Sequence, residues 1–342
     1  MFSSGYTLTV KIRAKGFIAF SIILCLLFLT CGEREQGSLP QDELDKIKIA
    51  VIPKGTTHEF WKTIHAGATK ASKELGVEIF WKGPQKEDDR AQQIIVVEDF
   101  ISRGVNGIVL APLDDRALCR PVLEAVRENI PVVIIDSGLE GKDYISFVAT
   151  DNYKGGVLAA KKMGELLQGK GEIFLIRYQE GSASTMKREK GFLDTITTEF
   201  PDVLLLVQDQ HAGSTTETAY QLAENLLSRF PEVDGIFCPN ESSTFGTLRA
   251  LQESGLAGKV KFVGFDSSPK LVQALRDGHI HALVLQDPMK IGYLGVKQMV
   301  FHLKGQEIEE RIDTGVYIAT KENMDDPEIK ALLSPDLSSY LD

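Results

Sequence analysis

The sequence has little cysteine. Four occur in 342 residues, at positions 25, 31, 119 and 238, and no two form a C-x-x-C pair. Neither a disulfide framework nor a structural zinc site has support in that spacing, and Cys119 and Cys238 read as two separate buried thiols. Long apolar runs are scarce too. Gly16 to Leu29 (GFIAFSIILCLLFL) is a 14-residue stretch without a charge, short of the roughly 20 residues that span a bilayer, and a multi-span membrane protein is excluded. Basic charge is in deficit: 38 Lys and Arg against 48 Asp and Glu leave −10 at pH 7. Lys11, Arg13 and Lys15 all precede the apolar run, so the rest is more acidic still. Sequence-independent nucleic-acid affinity rests on Lys and Arg releasing counterions, which excludes nucleic acid as a partner. The catalytic signatures G-x-S-x-G, H-E-x-x-H and G-x-G-x-x-G are absent. Gly164-x4-Gly169-Lys170 has Gly171 where a phosphate loop needs Ser or Thr, and the six histidines share no metal-ligand spacing. An enzyme on this chain would lack a nucleophile–base pair; no cofactor and no metal are expected.

What is present begins with an address. A basic start, the apolar run and Phe28-Leu29-Thr30-Cys31-Gly32 resemble a bacterial lipoprotein signal peptide, in which the cysteine after the cut is lipidated. Phe28 and Thr30 depart from the usual Leu and small residue, and a soluble export signal or an uncleaved anchor is the other reading. Residues 1–31 are thus expected to act as an export signal, with lipid attachment at Cys31. Residues 32–46 follow as a solvated tether.

Behind the tether, short β-branched runs alternate with amphipathic stretches. Strands are expected at Ile47–Ile52, Val77–Trp81, Gly107–Ala111, Val132–Ile135, Ser146–Ala149, Glu172–Ile176, Leu204–Val207, Gly235–Cys238, Val260–Val263 and Ala282–Leu285. Apolar residues at three- and four-residue intervals predict helices between most of them, beginning with Thr57–Leu75. Thr56-x-x-Glu59 has the spacing of a capping box there. Strand–helix alternation with continuously apolar strands means parallel sheets covered on both faces. Ten strands exceed one comfortable sheet, and a change of unit near Ala149–Asn152 splits them into two open α/β lobes.

In open parallel sheets ligands bind beyond the carboxyl ends of the strands. The residues found there are Lys54, Asp114, Asp136, Asn240, Asp266 and Gln286, with Phe60 and Trp61 beside the first strand. Carboxylates, amides, one ammonium and flat aromatic rings suit a neutral polyhydroxylated molecule. Each polar residue also reads as an ordinary helix cap or turn former. Phe60 and Trp61, being adjacent, are not expected to face inward together on one helix.

Seven segments carry a family resemblance: IAVIPKGTTHEFWKTIHAGATKASKELG, IPVVIIDSG, VATDNYKGG, KREKGF, PEVDGIFCPNESSTFGTLRAL, VGFDSS and LVLQDPMKIGYLGV. In order and spacing, over residues 47 to about 316, they resemble the ribose-binding-like periplasmic sugar-binding proteins of ABC transporters. The resemblance implies the type 1 periplasmic binding protein fold, two Rossmann-like lobes joined by a hinge of three crossovers. The crossovers would fall near Thr150, Asp287 and Val316. The N-lobe would be 47–150 plus 287–316, and the C-lobe 151–286 plus 317–342. It further implies sugar contacts at Phe60, Trp61, Asp136, Asn240, Asp266 and Gln286. Lys54 stands in place of a small hydroxyl residue, His58 in place of an amide, and Ser137 and Met186 in place of arginines. The implied protein is a monomer, held at a membrane by its lipid, that closes on a small sugar and delivers it to a permease. A sensory receptor signalling to a membrane partner is the alternative.

Overall fold

Two six-stranded sheets organise the computed structural model, which describes residues 47–341. The expected signal peptide, Cys31 and the tether lie outside the described residues. The first sheet runs β11-β5-β4-β3-β1-β2, all parallel. Its strands are β1 (Lys48–Ile52), β2 (Glu78–Trp81), β3 (Gly107–Leu110), β4 (Val132–Ile135), β5 (Ser146–Ala149) and β11 (Arg311–Asp313). The second runs β12-β10-β9-β8-β6-β7. It comprises β6 (Lys170–Leu175), β7 (Asp202–Val207), β8 (Gly235–Phe237), β9 (Lys261–Phe265), β10 (Ala282–Leu285) and β12 (Tyr317–Ala319). Only β12 is antiparallel to its neighbour. The chain therefore passes between sheets three times, after β5, after β10 and between β11 and β12.

Helices cover both faces of each sheet. α1 (Glu59–Leu75), α2 (Arg90–Ser102), α3 (Cys119–Arg127) and α9 (Pro288–Leu303) flank the first. α4 (Asn152–Leu166), α5 (Ala183–Glu199), α6 (Thr216–Arg229), α7 (Glu241–Glu253), α8 (Pro269–Asp277) and α10 (Pro327–Leu333) flank the second. The central strands β3, β4, β5 and β10 are buried at every residue, the signature of a sheet packed on both sides. Several helices start where a side chain accepts an orphan first-turn amide: Asp89 for Gln92, Asp151 for Lys154, Thr215 for Thr218 and Asp287 for Lys290. All ten expected strands form. β11, β12 and α10 were not expected: each edge strand has only three residues, too few for a period, and α10 has seven.

In each lobe one helix pair crosses with a glycine on both helices. A Cβ on Gly156 of α4 would strike the Arg188 carbonyl of α5, and one on Gly191 of α5 would strike the Tyr153 carbonyl. Gly67 of α1 and Gly292 of α9 stand in the same relation to Met289 and Ile64. α1 and α5 both reach the gap between the sheets, so these close crossings fix where their first turns lie.

The segment after β12 returns across the gap. Ile329 and Leu333 of α10 join the core of the second lobe, whereas the Tyr340 ring lies 6.0 Å from Lys70 Nζ and 5.8 Å from Lys73 Nζ of α1, in the first. The tail is a fourth tie between the lobes, beside the start of α9.

Gly156→Ala is expected to lower stability by about 1–3 kcal/mol, the range for overpacking a tight contact, because the clash is with backbone that cannot rotate away. Urea denaturation followed by circular dichroism measures it. An unchanged midpoint would show that the two helices separate at no cost.

Candidate functional site

Two carboxylates mark the matching ends of the two sheets. Asp136 follows β4 with φ +60° and donates its amide to the Val148 carbonyl of β5 at 3.0 Å. Asp266 follows β9 with φ +69° and donates to the Val284 carbonyl of β10 at 2.8 Å. Left-handed backbone is uncommon outside glycine, and aspartate is among the residues that tolerate it. At both positions the chain leaves the sheet sharply, and both side chains line the same cavity between the lobes.

Lys54, at the end of β1, is buried, with Nζ 3.0 Å from Asp136 Oδ2. It also donates to Ser184 Oγ at 3.1 Å and Ser182 Oγ at 3.3 Å. An ammonium has three N–H bonds, and these three acceptors, two of them on the second lobe, take them all.

The start of α1 departs from the expected capping box. Thr56 donates its hydroxyl to the Pro84 carbonyl at 3.5 Å, and the N-cap residue, His58, makes no side-chain cap bond. The open amides of Phe60 and Glu59 donate instead to Glu241 of the second lobe, at 3.0 Å to Oε2 and 3.4 Å to Oε1. A carboxylate is favourable at the positive end of a helix, and here it comes from the facing lobe. Phe60 and Trp61 are both buried, with rings edge to face at 5.0 Å. The first turn of α1 sits between the lobes and is covered on more than one side, so the rule against two adjacent inward residues does not apply there.

Glu87, in the loop after β2, is a second carboxylate shared across the gap. Its Oε1 accepts from Trp61 Nε1 at 2.8 Å and lies 2.6 Å from His58 Nδ1, while Oε2 accepts from the Tyr178 hydroxyl at 2.9 Å. Burial works against its charge, yet the bond and charge of His58 and the Trp61 bond outweigh it and hold the carboxyl below its usual range. Burial likewise opposes a charged His58, but Glu87, helped by Glu241 and Asp266, carries that group up to about 9.

On the opposite wall Arg188 of α5 is fully sequestered. Its Nε donates to Asn152 Oδ1 at 2.7 Å and Nη1 to the Pro239 carbonyl at 2.9 Å. Nη1 also stands 3.9 Å from Asp266 Oδ2, and the guanidinium lies 4.0 Å over the Phe265 ring. Asp266 is raised by burial, with Arg188 opposing. Gln286 donates to Asp266 Oδ1 at 2.7 Å, while its own Oε1 is buried with no partner among the described residues. A buried acceptor left open costs about 1–3 kcal/mol, which a ligand hydroxyl would remove.

Eight of the ten residues singled out from sequence line this cavity: Lys54, His58, Phe60, Trp61, Asp136, Asn240, Asp266 and Gln286. Asn240 is also the N-cap of α7, accepting from the Ser243 amide and hydroxyl. Ser137 and Met186 are not among the lining residues. Ser137 is wholly buried and accepts the Ser184 amide at 3.0 Å, joining the lobes. Arg188, two residues beyond Met186, does line it: two residues turn a helix by about 200°, so the two side chains leave α5 on different sides. Asp114, further out, accepts from the Arg116 and Ala117 amides in the turn ahead of α3. Glu87, Tyr178, Ser182, Ser184, Thr185 and Glu241 also line the cavity and carried no signal beyond being polar residues in loops or helix starts. Among the described residues no His, Cys, Asp and Glu side chains are grouped to hold a metal ion.

The family model described as periplasmic binding protein domain matches residues 49–307. A solute-binding protein of an ABC transporter from Agrobacterium vitis, solved with bound D-fucose, is 36% identical; the match covers 84% of this chain and 100% of that one, with a TM-score of 0.81. A carbohydrate transporter solute-binding protein from Agrobacterium radiobacter, solved with D-arabinose, is 35% identical over 84% and 99% of the two chains, also at 0.81. The ribose import binding protein of Haemophilus influenzae is 29% identical over 80% of this chain and 91% of its own.

Arg188→Met is expected to destabilise the fold by about 3–5 kcal/mol, since it leaves the Asp266 carboxylate buried without a cation. Met186→Ala should cost far less. Denaturant midpoints of the two variants test the assignment; equal losses would remove Arg188 from the buried network.

Proposed function

The chain belongs to the periplasmic binding protein family, and from that membership we propose that it captures a monosaccharide between its lobes and hands it to an ABC permease. The carrying observation is one cavity whose hydrogen-bonding groups come from both lobes, lined by Gln286, whose buried Oε1 has no partner among the described residues. Relatives of similar length and fold were solved with D-arabinose and D-fucose. Aromatic faces at Phe60 and Trp61 suit the C–H face of a sugar ring, and the carboxylates of Asp136 and Asp266 suit its hydroxyls.

The lobes meet along the cavity rim through Lys54, Ser137, Glu87 and Glu241, and three crossovers join them. A ligand that touches both walls gains its full set of contacts only when they are together. It shifts the population toward the closed form by its differential affinity for that form. Closure thus becomes the signal that a permease reads. Family membership supports a place in the periplasm or cell envelope. We infer export through residues 1–31 and a lipid at Cys31, which would keep the receptor beside its permease; one acyl chain binds only reversibly, so more than one is expected.

Titration calorimetry with D-arabinose, D-fucose, D-ribose and D-allose is expected to give saturable binding for at least one sugar. Asp266→Asn should weaken it by about ten-fold or more, in line with the loss of a charge-assisted hydrogen bond. Absence of heat and of any thermal shift across the sugars, with folded protein, would overturn the assignment.

A further inference from the structure

We propose that Glu87 is a positioning residue for recognition: it holds the His58 ring so that Nε2 offers an N–H to the ligand, and the site selects an uncharged sugar that presents an oxygen lone pair there. The proposal rests on the sugar-binding reading above and deepens it.

The argument starts from proton counting. An indole nitrogen only donates, so Glu87 Oε1 accepts from Trp61. Glu87 Oε2 accepts the Tyr178 hydroxyl. A buried carboxylate surrounded by donors is held ionised, and the 2.6 Å contact to His58 Nδ1 then requires a proton on that nitrogen. The ring faces Glu87 from the loop after β2, Glu241 from α7 and Asp266 from the loop after β9. Lys54, Arg188 and Tyr178 line the same cavity. Three carboxylates near one imidazole favour the doubly protonated ring, and Nε2, which has no hydrogen bond among the described residues, becomes a donor.

The other cations are already committed. Lys54 spends its N–H bonds on Asp136, Ser182 and Ser184. Arg188 is bonded to Asn152 and Pro239 and stands against Asp266. His58 is paired with Glu87. Glu241 is a fourth carboxylate, bonded only to backbone amides across the gap and pushed by burial up to about 7. Among the described residues that line the cavity no cation remains for an acidic sugar, which would add a further negative charge to these four carboxylates. A neutral ring meets both needs: a lone pair for His58 and a hydroxyl hydrogen for Gln286 Oε1.

Calorimetry with D-arabinose and D-fucose, each also tested as its aldonic acid, at about pH 6 and about pH 8, addresses the proposal in wild type, E87Q, H58N and the double variant. Without the Glu87 charge the buried ring falls to or below its ordinary value near 6.5 and is neutral at the higher pH. E87Q is expected to bind about ten-fold more weakly at pH 8 than at pH 6, with no such extra loss in wild type or in E87Q/H58N. Comparing E87Q with and without H58N cancels the titration of Glu241. The aldonic acids should not bind wild type. Equal weakening of E87Q at both pH values would reduce Glu87 to a structural role and overturn the proposal, and so would tight binding of an acid. Nitrogen-15 NMR of the wild-type histidines gives a readout that needs neither a ligand nor a folded variant: His58 should stay doubly protonated at pH 8, and a neutral ring there would also overturn the proposal. If no sugar binds at any pH while His58 remains an imidazolium, the sugar reading fails and the Glu87–His58 arrangement stands.

Discussion

A charge taken out of water must be met by a partner, and in this protein the partners sit across the gap between two lobes. Lys54 reaches from the first sheet to two serines of the second. Glu87 accepts from a tyrosine of the second, and Glu241 of the second caps a helix of the first. Desolvating an ion costs several kcal/mol, and the attraction it gains repays this only when its hydrogen bonds are complete. Separating the lobes would break these bonds but return the charged groups to water, so part of the loss would be offset. On the proposed function, that offset is what would let a small guest tip the equilibrium.

The two lobes solve the same local problem in the same way. Each ends a central strand with an aspartate in the left-handed region whose amide bonds the next strand, at Asp136 and at Asp266. Each sets a crossing helix pair at paired glycines so that a first helical turn reaches the gap. One turn brings Phe60 and Trp61. The other helix brings Arg188. The walls are built alike but carry different chemistry, aromatic and basic on one side, amide and guanidinium on the other.

Much of this was legible in the sequence. A fully buried parallel strand is a run of Val, Ile and Leu, and the polar residue after it lies where ligands bind. Asp136, Asp266 and Gln286 follow from that rule alone. What escaped has a physical reason in each case. Glu87 lies in a loop whose path no period describes. Arg188 lies two residues beyond Met186, and helix phase decides which of the two reaches the gap. The Thr56–Glu59 box failed because a stronger acceptor, Glu241, reaches those amides from 181 positions away in the chain, which local spacing cannot express. The edge strands β11 and β12 were too short to announce themselves.

The chain's last turn has a practical corollary. Packing anchors α10 in the second lobe, yet Tyr340 rests on lysines of α1 in the first. A fluorophore attached at Tyr340 would therefore sit on the boundary between the lobes. It would report any rotation of one against the other, and it would also load the contact that it was meant to observe.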